Sequence, residues 1–142
     1  MNTTKIFFII LFIFSFLCKN SLAKNNFFSE AEKLFKEKKF SQSKFKFEID
    51  IVFNPKNEMS YLYLAKIFKH QKDDFMEEQN LNTVILLNPK NEEAIYFLAK
   101  LKLDESDYKK SKELNSRLSK ICDKFCDKSK KLKIEIENLS KK

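Results

Sequence analysis

The sequence predicts an all-α protein built as a stack of helical hairpins, and two spacings support this prediction. The segment Asn-Pro-Lys-Asn-Glu occurs at 54–58 and again at 88–92, so the only two prolines, Pro55 and Pro89, lie 34 residues apart. Alanine follows the same period at Ala31, Ala65 and Ala99. A repeat of this length is typical of stacked helix pairs, in which each pair buries one face against its neighbours.

The composition fits one small folded domain. The chain has 142 residues, of which 43% are hydrophobic and 14% aromatic, enough for a core and too many for a disordered chain. Its net charge is +8, but Gly and Trp are absent while Phe reaches 16 residues. This skew indicates an AT-rich gene, so the lysine content alone does not predict an anionic partner.

Residues 1–23 are predicted to be a secretory signal peptide rather than part of the fold. Lys5 precedes an apolar run over 6–17, and small residues at Ser21 and Ala23 suit a cleavage site. The run is shorter than the roughly 20 residues that span a bilayer as a helix. We therefore expect the protein to be exported, to the periplasm or to the medium. The alternatives are an uncleaved anchor and a lipoprotein signal ending before Cys18, although Leu17 stands where that signal usually has a small residue.

Six helices are predicted in order at 26–38, 41–53, 58–71, 74–87, 92–103 and 107–121, joined by short polar turns. Pro55 and Pro89 end the second and fourth, because proline lacks an amide hydrogen and disfavours helical geometry in the residue before it. Asn57 and Asn91 are good N-caps for the third and fifth helices. The acidic residue after each places negative charge at the positive end of the next helix.

The C-terminal segment continues the helical pattern. No Gly or Pro interrupts residues 107–139, and apolar residues recur there at helical spacing. The stripe consists of Leu114, Leu118, Ile121, Phe125, Leu132, Ile136 and Leu139. Residues 124–142 therefore extend the sixth helix or form a separate seventh, and in either case we expect a basic cap over the open end of the stack.

Aligned on its prolines, the chain resembles tetratricopeptide repeat (TPR) proteins over three units, 24–57, 58–91 and 92–123. The resemblance implies a right-handed solenoid of three helical hairpins closed by a C-terminal capping helix. It also implies which residues pack the repeats: Phe27, Ala31, Phe47, Pro55, Tyr61, Ala65, Leu81, Pro89, Ile95 and Ala99. The departures are polar Ser43 and Asp50 at small apolar positions, Asn115 at a large apolar one, and turns without glycine.

In TPR arrays the first helix of each unit lines a concave groove that binds peptides. The resemblance therefore implies that a protein or peptide partner contacts Phe28, Glu32, Phe35, Met59, Leu62, Lys66, Lys69, Tyr96, Lys100 and Leu103. Aromatic residues and Met beside lysines suit a peptide with apolar anchors and an acidic group. Phe28 and Glu32 stand where arrays that bind chaperone C-termini carry a basic and an amide residue, so that ligand is not expected.

The sequence contains no pattern of a catalytic, cofactor-binding or metal site. His70 is the only histidine, and a chain without glycine has no Gly-rich phosphate loop. The carboxylates at 73–74 and 77–78 lie among lysines and are expected on solvated helical faces. We therefore predict that the protein is not an enzyme.

Cys122 and Cys126 share one helix face at a spacing of i, i+4. The favoured interpretation is a pair of buried thiols on the apolar stripe. A disulfide is the first alternative, because an exported protein meets an oxidising compartment and a helix break near 122–127 would allow closure. Metal binding or an intermolecular pair is the second.

The basic charge lies almost entirely at the C-terminal end. Residues 24–108 carry 14 Lys and 15 acids, a net charge of −1, whereas residues 109–142 carry 12 Lys or Arg and 5 acids, a net charge of +7. A solvated lysine face on the capping helix is the favoured interpretation. An anionic membrane surface or an acidic protein is the alternative partner for 109–142, and nucleic acid is not expected.

Together these patterns predict an exported, non-catalytic scaffold that binds a protein segment in the groove of a short TPR array. Two alternatives remain open at this stage. One is a self-associating structural subunit of a cell-envelope assembly, because three repeats are near the minimum for a stable array. The other is a membrane-surface module that uses the basic C-terminal helix.

Overall fold

A computed structural model describes residues 26–140 of the chain, and it contains seven α-helices in that range. Their bounds are α1 Phe27–Lys36, α2 Phe40–Phe53, α3 Glu58–Gln71, α4 Asp74–Leu87, α5 Glu92–Asp104, α6 Tyr108–Ile121 and α7 Cys126–Leu139. The six helices predicted from sequence are present, with ends that differ by one or two residues. The predictions about 1–23 and about Cys18 lie outside the described residues.

The helices pack in chain order as three hairpins, α1/α2, α3/α4 and α5/α6, with α7 against α6 and α5. Two buried clusters fill the stack, one around Phe47 and Ile67 and the other around Leu81, Ile95 and Leu118. The predicted all-α helical-hairpin solenoid with a C-terminal capping helix is confirmed.

The end of α6 settles the question of the tail. Cys122 has extended geometry (φ −65°, ψ 141°), and residues 122–125 are not helical. α7 is therefore a separate seventh helix. Its apolar stripe is buried at Leu132 and Ile136, which pack into the same cluster as Leu118 of α6.

The three alanines are buried where the paired helices approach each other. The Ser43 hydroxyl donates to the Ala31 carbonyl at 2.8 Å, and Ser111 repeats this bond to Ala99 at 2.8 Å. The serine is therefore no packing defect, because its hydroxyl satisfies a helix carbonyl within the buried contact. Asn115 is likewise satisfied. Its side-chain NH2 donates to the Ser129 carbonyl of α7 at 3.0 Å, and its side-chain oxygen accepts from the Ser129 hydroxyl at 2.9 Å.

The turn within each hairpin uses a left-handed residue without glycine. Lys38 (φ 59°), Lys72 (φ 59°) and Ser106 (φ 63°) lie 34 residues apart at the C-terminal ends of α1, α3 and α5. The next amide reaches back to a carbonyl five residues earlier, as from Asp73 to Phe68 at 3.0 Å. This is a Schellman motif, in which glycine is the usual residue because a Cβ disfavours this geometry.

The Asn-Pro-Lys-Asn-Glu segments join consecutive hairpins, but the two copies bond differently. The Asn91 side chain accepts from the Ala94 amide at 3.0 Å, so its predicted N-cap is confirmed. Asn57 makes no such bond, and its amide instead donates to the buried carboxylate of Asp50 at 2.7 Å. The predicted side-chain cap at Asn57 is therefore wrong: the Ser60 amide, which the Asn57 side-chain oxygen would cap, donates to the Asn57 backbone carbonyl at 3.1 Å.

Both glutamates of these segments bond across a junction rather than only to their own helix. Glu58 accepts from Asn88 at 2.8 Å and from Asn91 at 3.3 Å. Glu92 accepts from the backbone amides of Lys124 and Phe125 at 3.0 and 2.8 Å. Each carboxylate thus holds the start of one hairpin to the start of the next, and burial of these donors is compensated by a charged acceptor.

Most of the residues predicted to pack the repeats do so. Phe47, Leu81 and Ile95 are buried, Phe27 stacks on Phe53 at 5.6 Å, and Tyr61 packs against the larger cluster. Pro55 and Pro89 are the exceptions: both are exposed in the turns after α2 and α4. The prediction that they pack is wrong, because their role is to end a helix, which requires no burial.

Replacing Lys72 by Gly is expected to stabilise the protein. Relief of the left-handed geometry, about 1 kcal/mol, exceeds the entropic cost of a more flexible unfolded chain, and we expect a net gain of about 0.5 kcal/mol in the free energy of unfolding. Urea unfolding measures this change. The matched Lys131→Gly variant, at an exposed position within α7, should lose about 1 kcal/mol. A loss in both variants would contradict the prediction.

Glu77→Gln is expected to stabilise the protein at neutral pH. Glu77 is buried at the position that serine occupies in the other two hairpins, and burial raises the pKa of its carboxyl above 4.5, with Lys69 only partly opposing this. The stability contribution of a raised carboxyl pKa is present below its unfolded value and is lost as pH rises through the folded pKa. The variant should gain about 0.5 kcal/mol near pH 7 and nothing near pH 4. Thermal unfolding at both pH values tests this, with Glu113→Gln in α6 as the exposed control.

Candidate functional site

The first helices of the hairpins and α7 contact each other along one surface, which we call the first-helix face. The Tyr63 hydroxyl of α3 donates to Glu32 of α1 at 2.9 Å. Lys66 of α3 pairs with Glu93 of α5 at 2.9 Å, and Lys100 of α5 pairs with Glu135 of α7 at 2.7 Å. Polar bonds therefore cross every step from α1 to α7 on this face.

Aromatic rings lie between these polar bonds. At the α1 end, Phe28 and Phe35 lie 6.0 and 5.0 Å from the Tyr63 ring, which stacks on buried Phe47 at 5.0 Å. At the α7 end, Tyr96 lies 5.6 Å from Phe125. The rings pack against one another beneath the polar side chains of this face. Packing as well as charge therefore holds these side chains in place.

Lysine side chains lie over these rings. The Lys66 ammonium is 5.0 Å from the Tyr63 ring, and that of Lys69 is 5.3 Å from the Phe97 ring. Lys128 of α7 lies 4.2 Å from Phe125 and 5.4 Å from Tyr96. Such cation–π contacts contribute about 0.5–1 kcal/mol at exposed sites and leave the ammonium free to meet an anion.

Charge on the face is set by these contacts. Burial, followed by the bond to Glu32, raises the pKa of Tyr63 to about 12, and the same bond together with Lys36 lowers the pKa of Glu32. Burial opposes the charge of Lys100, but the Glu135 carboxylate outweighs it and raises its pKa. At neutral pH these shifts keep Tyr63 neutral and both Glu32 and Lys100 charged.

The predicted groove residues divide into two groups. Phe28, Glu32, Phe35, Lys66, Tyr96 and Lys100 are half-buried on the first-helix face, and Met59 and Lys69 are more exposed. Leu62 and Leu103 are only 1% and 3% exposed, and both belong to the larger core cluster. Their assignment to a partner-binding groove is wrong, because both side chains are buried in the core and do not lie on an open surface.

Sequence reasoning missed several residues of this face. Tyr63 and Phe97 are 34 residues apart, so the repeat itself marks their position. Lys128 and Glu135 were missed because they lie beyond residue 123, where the third predicted unit ends. The helix starts at Glu58, Glu92 and Cys126 show that the 34-residue register continues into α7.

Cys122 and Cys126 form a disulfide that spans the break between α6 and α7, with Cα atoms 5.2 Å apart. The favoured expectation of two buried thiols is therefore wrong, and both residues are only half-buried. The physical reason is the end of α6 at Ile121. Extended geometry at Cys122 removes the regular-helix orientation that would keep the two side chains from meeting.

Within residues 26–140, no group of three or more His, Cys, Asp or Glu side chains is arranged to hold a metal ion. No helix in that same range is both long enough and apolar enough to cross a membrane.

No protein-family model and no curated protein matches this sequence. Solved structures do match. The first TPR domain of Spaghetti (RPAP3), bound to an HSP90 peptide, has a TM-score of 0.72 at 15% identity over 80% of this chain and 90% of that one. The TPR domain of Sgt2 from Aspergillus fumigatus has a TM-score of 0.69 at 16% identity over 83% and 82% of the two chains.

The type III secretion chaperone SycD of Yersinia enterocolitica, in complex with a peptide of the translocator YopD, has a TM-score of 0.73 at 12% identity. That match covers 82% of this chain and 93% of the other. The fold of this chain is therefore a TPR-like fold, as the sequence resemblance implied.

The disulfide is expected to stabilise the α6–α7 junction. Closing a loop of this length lowers the entropy of the unfolded chain by an amount equivalent to about 2 kcal/mol. The Cys122→Ser, Cys126→Ser double variant should lose about this much in urea unfolding. Reduction with dithiothreitol should destabilise the wild-type protein by a similar amount and leave the double variant unchanged. A thiol titration of the unreduced protein that finds both Cys122 and Cys126 free would contradict the assignment.

Proposed function

We propose that this protein is an exported, non-catalytic scaffold that binds a peptide or protein segment along the first-helix face. The observation that carries the proposal is the row of aromatic rings and lysines that crosses from α1 to α7. Two of the similar structures hold peptides, one from HSP90 and one from YopD, which supports a peptide as the class of ligand.

The chemistry of the face favours a peptide with an apolar side chain near an acidic one. Met59 is 36% exposed and offers an adaptable apolar contact beside the Tyr63 and Phe97 positions. Lys66 and Lys100 already pair with carboxylates, but Lys128 has no ion pair within residues 26–140. An acidic group of the ligand therefore pairs with Lys128 without displacing an existing partner.

A free C-terminal carboxylate of the HSP90 kind is a poor ligand for the α1 end of the face. Glu32 carries a negative charge there, and among residues 26–140 its ion-pair partner is Lys36, already 3.2 Å away. The ligand's acidic group thus belongs at the α7 end and its apolar residues towards α3.

Export is part of the proposal and rests on two features. The apolar run at 6–17 with small residues at Ser21 and Ala23 has the form of a signal peptide. The Cys122–Cys126 disulfide fits an oxidising compartment such as the periplasm or the medium.

Photo-crosslinking in the native cells tests the binding face. A photoreactive amino acid at Met59 is expected to capture a defined protein partner, and Lys128→Glu in the same chain should reduce the yield about tenfold or more. Lys56→Glu, an equal charge change in the exposed turn after α2, is the control and should leave the yield unchanged. Equal capture from Met59 in both charge variants would show that the face does not select an acidic segment. A mature N-terminus that still contains residues 1–23 in a cytosolic fraction would exclude export.

A further inference from the structure

α7 occupies the position that the first helix of a fourth hairpin would have. It begins 34 residues after α5, and Glu92 holds its start as Glu58 holds the start of α5. Leu98 and Leu132, also 34 apart, are both buried at equivalent places in α5 and α7. The capping helix thus occupies a repeat position rather than an irregular one.

None of residues 26–140 covers the surface that α7 would offer to a second helix. In the three complete hairpins this surface contains the buried alanine, most recently Ala99, which contacts α6. The position 34 residues later is Lys133, whose side chain is 70% exposed. Glu137, which corresponds to buried Leu103, is exposed as well.

A cavity of about 530 Å³ opens on this surface between α6 and α7. The Cys122–Cys126 disulfide and Ile136 form its apolar part, and Ser116 and Ser119 of α6 line one wall. The remaining lining residues include the lysines Lys112, Lys130 and Lys133. We call this cavity and its lysines the α6–α7 groove.

The positive charge around the groove exceeds the carboxylates that could neutralise it. Lys130 and Lys133 pair with Asp127 at 3.4 Å and Glu137 at 4.0 Å, both on exposed turns of α7. Lys112 has no ion pair within residues 26–140. A second cavity of about 560 Å³ shares Lys112 and Ser116 and continues along α6 past Arg117 and Lys120. The positive surface therefore extends along both helices.

We propose that the α6–α7 groove binds one amphipathic helix of a partner protein, with acidic side chains beside an apolar stripe. The helix lies where the second helix of a fourth hairpin would pack against α7. Its apolar side chains contact the half-buried disulfide, and its carboxylates pair with Lys112, Lys130 and Lys133. This is helix-in-groove recognition with charge complementarity at the margin.

The shape of the groove favours a helix over a membrane surface. A flat bilayer needs apolar side chains that project from the protein, whereas here the apolar atoms lie at the bottom of a cleft between two helices. The groove is also separate from the first-helix face, since α7 turns Lys128 and Glu135 to that face and Lys130 and Lys133 to this one. The two proposals therefore stand or fall independently.

A pair of synthetic peptides tests the groove on the full chain. Both are about 18 residues long and helical, with Leu at i, i+3, i+4 and i+7; one carries Glu beside the leucines and the other Lys. In fluorescence anisotropy we expect the Glu peptide to bind at least tenfold more tightly than the Lys peptide. The binding should weaken as salt is added, because exposed charges are screened.

Variants assign the binding to the groove. Lys112→Glu with Lys130→Glu should weaken binding of the Glu peptide at least tenfold, and Ser119→Phe, which fills the cavity without a change of charge, should weaken it as well. Lys56→Glu with Lys90→Glu makes the same charge change in two exposed turns and should have less than a twofold effect. Lys128→Glu, on the first-helix face, should also have little effect. Circular dichroism of each variant confirms that the helices are intact.

Three results would overturn the proposal: equal binding of the two peptides, unchanged binding by both groove variants, or loss of binding in the turn variants alone. Vesicles of phosphatidylserine and phosphatidylcholine provide the last arm. Capture of the chain by these vesicles that depends on Lys112 and Lys130, without binding of the Glu peptide, would assign the surface to a membrane and refute a helix partner.

Discussion

The structure depends on one close approach, repeated three times, between the first and second helix of each hairpin. A side chain as small as alanine at Ala31, Ala65 and Ala99 allows the backbones to come near enough for a side chain of the second helix to reach a carbonyl of the first. Ser43 and Ser111 use this proximity to bond Ala31 and Ala99 at 2.8 Å. A larger residue at any of the three alanines would separate the helices and disturb their packing, and at Ala31 or Ala99 it would also break the serine bond.

Carboxylates at the junctions connect consecutive hairpins by accepting hydrogen bonds across each junction. Asp50 is buried yet accepts from Asn54, Asn57 and Ser60 at 2.9, 2.7 and 2.5 Å. Burial of an unpaired charge would be costly, but each of these donors lies on the segment that leads into the next hairpin. These bonds hold the junction between the first two hairpins, as Glu58 and Glu92 hold the next two junctions.

The sequence was sufficient for the fold class because the signals are periodic and local. Two prolines and three alanines in one register define where helices end and which side of each is inside. The helix starts at Glu58 and Glu92 follow from the same register. The repeat spacing does not show which side of a helix points towards the core. For this reason the sequence predicts Leu62 and Leu103 in a groove, although both are buried in the core.

Other errors arose from interactions between distant residues. Asn57 is a residue type that favours N-caps, but its side chain is oriented by the hydrogen bond that its NH2 donates to buried Asp50 of the preceding helix. The cysteine spacing suggested two thiols on one helix, and only the break after Ile121 brings their sulfur atoms together. In both cases a tertiary contact outweighs a local preference, which a linear pattern does not record.

α7 is the element that both surfaces share, and its attachments explain why it can serve both. Glu92 and Lys100 hold it to α5, whereas Asn115 and the disulfide hold it to α6. These contacts lie on different sides of the helix: the Lys100–Glu135 pair belongs to the first-helix face, and the disulfide belongs to the α6–α7 groove. Because α7 is fixed from two directions, Lys128 on one side and Lys130 and Lys133 on the other keep a constant spacing. The backbone positions of these lysines are therefore fixed before a ligand binds to either surface. Binding then has to order only the lysine side chains, which lowers its entropic cost.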